Sequence, residues 1–422
     1  MRRGIQRMAH LALNGGSPVR TKEFPGWPVF DDSEIRNLEE VVRSGKWFAP
    51  GGTKVKEFEA RFAEFQNAKY GIAVCNGTIA LEMALLTLGV GAGDEVIIPA
   101  YTFVATATAV LRCNAVPIPV DIHPDTYLID PDAVEKAITD KTKAIMPVHL
   151  SGLPVDMDRI NATAKKHNLG VVEDAAQAWG AGWKGKGVGA WGDLGGFSFQ
   201  MSKNLTAGEG GIVLTDDEGL ADCCRAFADC GRIPGESRHD CGLLGINARL
   251  TEFQGAVLHA QLDRYPDLLA TREASGKALT AALEEQGLLT PIRRPEEATG
   301  HAYHFLMLKY DASKFDGLPK TRFLEALNAE GITNVHGGYG KTVYEHPVLT
   351  EKKLGNHGCP LACPYYGREV DYTQMHCPVA EKAVREEAIW VKQNALLAGP
   401  EEMSDIVEAV GKIHEHRGEL TT

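Results

Sequence analysis

Lys203 is the residue whose chemistry the rest of the chain has to explain. It follows a short apolar run around Phe197-Ser198-Phe199. It precedes the glycine-rich Gly208-Glu209-Gly210-Gly211 and a second apolar run, Ile212 to Leu214. A lysine beside a buried strand end must pair, lose its proton or react. A reactive amine forms a Schiff base with an aldehyde, and the Ser198 hydroxyl five residues earlier can hold a phosphate. A surface lysine in a hairpin-like turn is the plainer alternative. Asn76-Gly77-Thr78 stands between a strand-like and a helix-like run. There Gly77 permits a tight turn, and the helix-start N–H groups with the Thr78 hydroxyl suit one phosphate. An ordinary helix cap fits the same residues. Asp174, in Glu173-Asp174-Ala175-Ala176-Gln177, follows the apolar Val171-Val172. It either pairs with a cation such as a protonated ring nitrogen or caps a helix. Tyr101 or Phe103 either stacks on a flat ring or fills a core. A phosphate, a cationic ring nitrogen, a flat ring and an aldehyde together describe pyridoxal 5'-phosphate.

These residues recur at one kind of place, the junction after a short apolar run. From Tyr70 onward the pattern alternates strand and helix. Gly71–Cys75, Val96–Ile98, Ala144–Val148, Gly170–Glu173 and Gly196–Phe199 read as strands. Thr78–Leu88, Thr102–Leu111 and Met157–His167 read as helices. This is the rhythm of a mostly parallel sheet covered on both faces, which binds ligands at the carboxyl ends of its strands. Before it, residues 1–30 read as an extended arm. Ser33–Ser44 then reads as a helix capped by Ser33 and stopped by Gly45, with Ile35, Leu38, Val41 and Val42 on one face. Val55, Phe58, Phe62 and Phe65 form a second such face. A long helix leaves the sheet domain from Leu250 to about Ala270. A strand at His301–Tyr310 and helices at Thr321–Glu330 and Ser404–His416 then suggest a smaller α+β domain. The expected division is an arm over 1–30, a large α/β domain over 31–275 and a small domain over 276–422.

Composition removes other classes. The chain has 422 residues, 44% hydrophobic, with a net charge of −12. It can bury a core, and its charge argues against a nucleic-acid partner. Nine irregularly spaced cysteines read as reduced thiols in a cytoplasmic protein. No apolar run is long enough to span a membrane. Arg2-Arg3 is not followed by an apolar segment of signal-peptide length. Gly187 to Gly192 spells G-x-G-x-x-G but leads into a strand rather than a helix, which argues against a nicotinamide site. His357, Cys359, Cys363, His376 and Cys377 are rich in ligand types at poor zinc spacing, so no metal is expected.

The motifs together resemble the DegT/DnrJ/StrS family of pyridoxal-phosphate sugar aminotransferases, over nearly the whole chain from Leu13-Asn14-Gly15-Gly16 onward. They are N-G-T-x-A-L at 76–81, I-P-A-Y-T-F-V-A-T-A at 98–107, P-V-H-L-S-G at 147–152, E-D-A-A-Q-A at 173–178, F-S-F-x-x-x-K at 197–203, G-E-G-G at 208–211 and G-x-N-x-R-L-x-E-F-Q at 245–254. The resemblance implies fold type I, with a large, mostly parallel seven-stranded sheet domain and a smaller C-terminal α+β domain. It implies Lys203 as Schiff-base lysine and proton shuttle, and Asp174 as partner of the pyridine nitrogen. Gln177 falls beside the ring hydroxyl, Phe103 against the ring face, and Gly77, Thr78 and Ser198 around the phosphate. Asn247 is implied to reach the neighbouring subunit's phosphate, in a homodimer with shared sites. His149 is implied to lie near the substrate.

The reaction so implied moves an amino group from glutamate or glutamine to a keto-sugar or keto-cyclitol. Gln200, Thr206-Ala207 and the tail Trp390 to Leu397 are similar to the branch of scyllo-inosose aminotransferases and aminohydroxybenzoate synthases. That branch usually carries histidine where this chain has Gln393. A nucleotide-sugar aminotransferase is the alternative, with Arg20, Lys22, Lys54 and Lys56 either facing a diphosphate or solvated. Dehydratases of the family, associated with histidine in place of the lysine, are disfavoured by Lys203. A cofactor-binding regulator is disfavoured by the intact lysine and aspartate.

Overall fold

The computed structural model describes residues 10–420 apart from 236, 238, 353 and 355–357. Arg2, Arg3 and His357 lie outside the described residues. Short apolar runs become the central strands. β1 (Tyr70–Val74), β2 (Glu95–Pro99), β3 (Val116–Val120), β4 (Thr142–Ile145) and β5 (Gly170–Asp174) precede a small hairpin, β6 (Gly182–Trp183) and β7 (Lys186–Gly187). β8 (Leu194–Ser198) and β9 (Gly211–Thr215) complete a seven-stranded sheet of order β1-β9-β8-β5-β4-β2-β3. Only β9 runs antiparallel to its neighbours. Val96, Ile97 and Ile98 are wholly buried, as expected of a strand covered on both faces.

Helices α1 (Asp32–Ser44), α2 (Lys54–Phe65), α3 (Gly77–Thr87), α4 (Val104–Arg112), α5 (Pro131–Ala137), α6 (Met157–His167) and α7 (Glu218–Ala228) accompany the sheet. α1 is capped by Asp31 in a capping box with Glu34, not by Ser33. Asp31 Oδ1 instead accepts from both the Ser33 N–H and its hydroxyl. Gly45 does end α1, in the left-handed conformation. On its apolar face Val41 is buried, but Ile35 and Val42 are more than half exposed in the protomer.

α8 runs from Glu252 to Gln286, sixteen residues past the expected end at Ala270. Leu258, Leu262 and Tyr265 pack in a core with Phe58, Phe62 and Phe197, whereas Leu279 and Leu283 pack in a second core with Tyr310 and Phe323. One helix therefore serves both cores, and the expected boundary at 275/276 falls inside it. The second core surrounds an antiparallel sheet, β10 (Thr290–Pro291), β11 (Phe305–Lys309), β13 (Ala388–Lys392) and β12 (Val335–His336) in that order. Residues 343–384 depart from the two-domain division, because Val343, Leu349, Tyr372 and Val384 pack into the main-sheet core.

Residues 12–20 of the N-terminal segment are anchored to the small domain. The Ala12 and Val19 N–H groups donate to Glu330, and the buried Arg20 donates to Glu402 and Asp405, each at 2.6 Å. No helix among the described residues is long and apolar enough to cross a membrane.

Candidate active site

The residues after β1, β2, β4, β5 and β8 form the carboxyl edge of the sheet. Lys203 lies in the loop after β8, its N–H on the Gln200 carbonyl at 2.9 Å. That loop is pinned by Phe199 N–H to Gly210 O, Met201 N–H to Gly208 O and the Thr206 hydroxyl to Phe199 O. Two of its glycines are required for different reasons. Gly208 adopts φ +81°, and a Cβ on Gly211 would stand 2.5 Å from the Asn76 carbonyl. The Lys203 amine makes no hydrogen bond or ion pair with a described residue. Burial pulls its pKa down to about 8, against the opposing charge of Asp174.

Asp174 ends β5 and is 5% exposed. Its Oδ2 accepts from the Thr106 hydroxyl at 2.8 Å, and Oδ1 from the Ala176 N–H at 3.2 Å. The Thr106 hydroxyl is also 2.8 Å from that of Thr102. Burial pushes the carboxyl up, while Thr106, the Ala176 N–H and the Lys203 charge oppose it. Gln177 is held at both ends of its amide, with one Nε2 hydrogen left over: Oε1 accepts from the Ser151 N–H at 2.7 Å, and Nε2 donates to the Tyr339 hydroxyl at 2.8 Å. Tyr339 also lies 6.0 Å, ring to ring, from Phe103. Of the two aromatic candidates, Phe103 is 55% exposed and Tyr101 is buried among Tyr127, Tyr339 and Trp390.

The phosphate candidates also meet. Asn76, not Thr78, caps α3 through Oδ1 to the Ile79 N–H at 2.9 Å. The Gly77 and Thr78 N–H groups at the start of α3 are left without an intrahelical partner. Gly77 packs so closely on Ser198 that a Cβ would lie 2.7 Å from the Ser198 Cβ. Two backbone donors at a helix start and the Ser198 hydroxyl packed against Gly77 thus lie together, with Thr78 next along the chain. They fit a phosphate on their donor chemistry.

His149 is not at the substrate side. It is fully buried, with Nδ1 accepting from the Val155 N–H at 3.0 Å and Nε2 2.9 Å from Glu173 Oε2. These partners assign the proton to Nε2 and leave the ring no free nitrogen. Glu173 in turn accepts the N–H groups of Gly189, Trp191 and Gly192, each at 2.7 Å. The G-x-G-x-x-G segment is therefore an anion nest for an internal carboxylate. Burial would raise Glu173, but His149 and these N–H donors hold it below the ordinary range.

Gln200 lies in the Lys203 loop, its Oε1 taken by the Ser202 N–H at 2.8 Å and hydroxyl at 2.7 Å. Only its amide N–H groups remain to meet a ligand. Asn247 is exposed, and its side chain bonds no described residue of the protomer. Arg20 and Lys22 pair with Glu402, and Lys54 with Glu40, so three of the four cations considered for a diphosphate are occupied. Cys363 and Cys377 pack into the main core, and His376 bonds Glu381 at 3.1 Å. The sequence reading did not single out Thr106, Tyr339 or the Asn204–His304 pair. Thr102 and Thr106 had a signal in their four-residue spacing across the expected helix start, although Thr102 lies just ahead of α4 and only Thr106 is on it. Tyr339 had a weaker one, standing alone among Gly337, Gly338 and Gly340.

A half-buried, unpaired lysine and a buried aspartate at the carboxyl edge of such a sheet, beside an open helix start, define a fold type I pyridoxal-phosphate-dependent transferase. The chain belongs to the DegT/DnrJ/EryC1/StrS aminotransferase family, whose model matches residues 28–410. It is 38% identical over 429 residues to an L-glutamine:2-deoxy-scyllo-inosose aminotransferase of Streptoalloteichus tenebrarius, covering 97% of this chain and 99% of that one. Among solved structures, 3-amino-5-hydroxybenzoic acid synthase superposes with a TM-score of 0.83 at 33% identity, over 95% of this chain and all of that one. NtdA of Bacillus subtilis, solved with bound cofactor PMP, superposes with a TM-score of 0.77 at 27% identity, over 94% and 86% of the two chains.

Proposed function

We propose that this aminotransferase uses pyridoxal 5'-phosphate to move an amino group from L-glutamine to a keto-cyclitol. The observation that carries the cofactor assignment is the half-buried Lys203 amine, unpaired among the described residues and lowered to about 8 beside Asp174. Gly77, Thr78 and Ser198 would hold the phosphate, Phe103 the ring face and Asp174 the ring nitrogen, with Gln177 at the ring hydroxyl. Bound there, the cofactor supplies an aldehyde for the amine and a ring that accepts charge when an α-proton leaves. The protein's part is local. Asp174 keeps a proton on the ring nitrogen, aligned by Thr106. The Lys203 amine would be the group that takes the proton from the donor's α-carbon. Glu173 and His149 fix the end of β5 from below.

The name of the Streptoalloteichus relative supports glutamine as donor and an inosose as acceptor. The pairing of Arg20, Lys22 and Lys54 within the chain weighs against a nucleotide diphosphate. A second copy of the chain completes the site, with Asn247 crossing to the partner's phosphate. The exposed Ile35, Val42, Trp47 and Phe48 give that copy an apolar surface to cover. A cytoplasmic location fits nine free cysteines.

The acceptor is tested by half-reactions of the pyridoxamine-loaded enzyme with scyllo-inosose, a nucleotide-linked keto-sugar and a simple aldehyde. The cyclitol is expected to react fastest. A faster nucleotide sugar would replace the acceptor assignment.

A further inference from the structure

A separate cavity of about 380 Å³ adjoins the candidate active site, where Ser151 and Leu153 face α8 and β11. Its wall is apolar at Leu153, Ile292, Leu306 and Met307. An enclosed volume of this size between two cores, with an apolar wall and a few placed polar groups, is how small-molecule sites are built.

Two buried polar groups stand in it with capacity unused. The Ser151 N–H donates to Gln177 Oε1 at 2.7 Å, and its carbonyl accepts from the His304 N–H at 2.8 Å. Its backbone is thus spent on the active-site side. Its hydroxyl is buried and has no partner, in a residue 1% exposed. His301 is 7% exposed, and its Nδ1 accepts from the Tyr303 N–H at 2.7 Å. That role puts the ring proton on Nε2, which donates to no described residue. Burial pulls the imidazole down to about 3, so it stays a neutral donor. Buried donors without partners are costly, and two in one cavity call for an occupant. The wall also sets the sign of that occupant. Lys277, Arg293 and Arg294 line it against one carboxylate, Glu284. Lys277 and Arg294 share Glu273 Oε1 at 2.9 and 2.7 Å, and Arg293 stands 3.9 Å from Asp125.

We propose that this cavity binds a small carboxylic acid with an apolar body, its oxygens on the Ser151 hydroxyl and the His301 Nε2–H. Two neutral donors match the two oxygens of one carboxylate, whereas a phosphate dianion calls for a cation at the same depth. The cations of the wall draw the anion in, and the apolar side chains take its body. The site is distinct from the reacting one but touches it twice. Ser151 holds Gln177, and Asn204, next to Lys203, donates to the Ala302 carbonyl at 2.8 Å. An acid on Ser151 therefore reaches Gln177 through one residue, which makes the cavity a place from which a metabolite acid regulates the enzyme.

Benzoate is the probe, titrated into the cofactor-loaded protein by calorimetry and by thermal midpoint, with benzamide as its uncharged counterpart. Benzoate is expected to bind roughly 10-fold more tightly than benzamide. Ser151→Ala should weaken benzoate roughly 10-fold, as loss of a hydrogen bond to a charged group implies. Ala281→Phe fills the cavity from the exposed side of α8 and should abolish binding. Benzoate is also expected to remain bound in saturating L-glutamine. No binding to wild type by either measure means that water alone fills the cavity, and overturns the proposal. Equal affinity for benzamide, unchanged affinity in either folded variant, or displacement by glutamine overturns it as well. The benzamide and glutamine comparisons need no substitution, so they decide even if both variants misfold. Binding is read without turnover, so its failure leaves the aminotransferase reading standing.

Discussion

At the scale of single residues, the site depends on two groups whose burial changes their chemistry in opposite directions. Lys203 is a base, so a pKa lowered from 10.5 to about 8 means that its reactive neutral form appears at lower pH. The rate at which the apoenzyme condenses with pyridoxal phosphate is expected to rise through pH 8 and level off above it. A rate still climbing steeply at pH 10 would contradict that. Asp174 is an acid pushed up by burial, and Thr106 is a principal group opposing the push. Thr106→Val removes a hydrogen bond to a charged group, worth about 1.5–3 kcal/mol. It should slow the glutamine half-reaction by roughly 10–100-fold, with Thr106→Ser restoring most of it. A merely structural role would lower the thermal midpoint without separating the serine and valine variants in rate.

At the scale of elements, the Glu173–His149 pair and its three N–H donors hold β5, and with it Asp174, in position. Glu173→Gln places an amide N–H group against donors and removes a buried charge from its partners. It is expected to cost about 3–5 kcal/mol in urea unfolding. A loss under 1 kcal/mol would show that the nest does not stabilise the fold. Much of this layer is legible in the sequence because parallel strands buried on both faces are apolar runs. Gly170–Glu173 and Val96–Ile98 fall within observed strands, and Met157–His167 is α6 as read. β3 escapes because Pro117 and Pro119 argue against a strand, yet at the edge of the sheet they are tolerated. The cap of α1 is misread because Asp31 and Ser33 both suit an N-cap and only the geometry chooses between them. Glu173 and the 187–192 loop are far enough apart in sequence that their pairing is written in no local pattern.

At the scale of the whole molecule, the candidates from five junctions converge because the sheet order brings their strand ends to one edge. His149 and Tyr101 among them turn inward. α8 joins the two cores, which no domain boundary drawn from texture would suggest. Asn247 belongs to this scale as well, since its backbone bridges Asp229 but its exposed side chain bonds no described residue of its own protomer. Asn247→Ala is expected to weaken cofactor retention on gel filtration by about tenfold, as loss of one hydrogen bond to a phosphate implies. Retention equal to wild type would remove its proposed crossing to the partner subunit. The central claim is that the half-buried Lys203 amine holds an aldehyde cofactor that glutamine converts to its amine form. Mixing the cofactor-loaded protein with L-glutamine tests this directly. The account predicts loss of the visible absorption of the lysine-bound cofactor and growth of that of pyridoxamine phosphate, absent in Lys203→Ala. An unchanged spectrum with glutamine, glutamate and every other amino donor would contradict it.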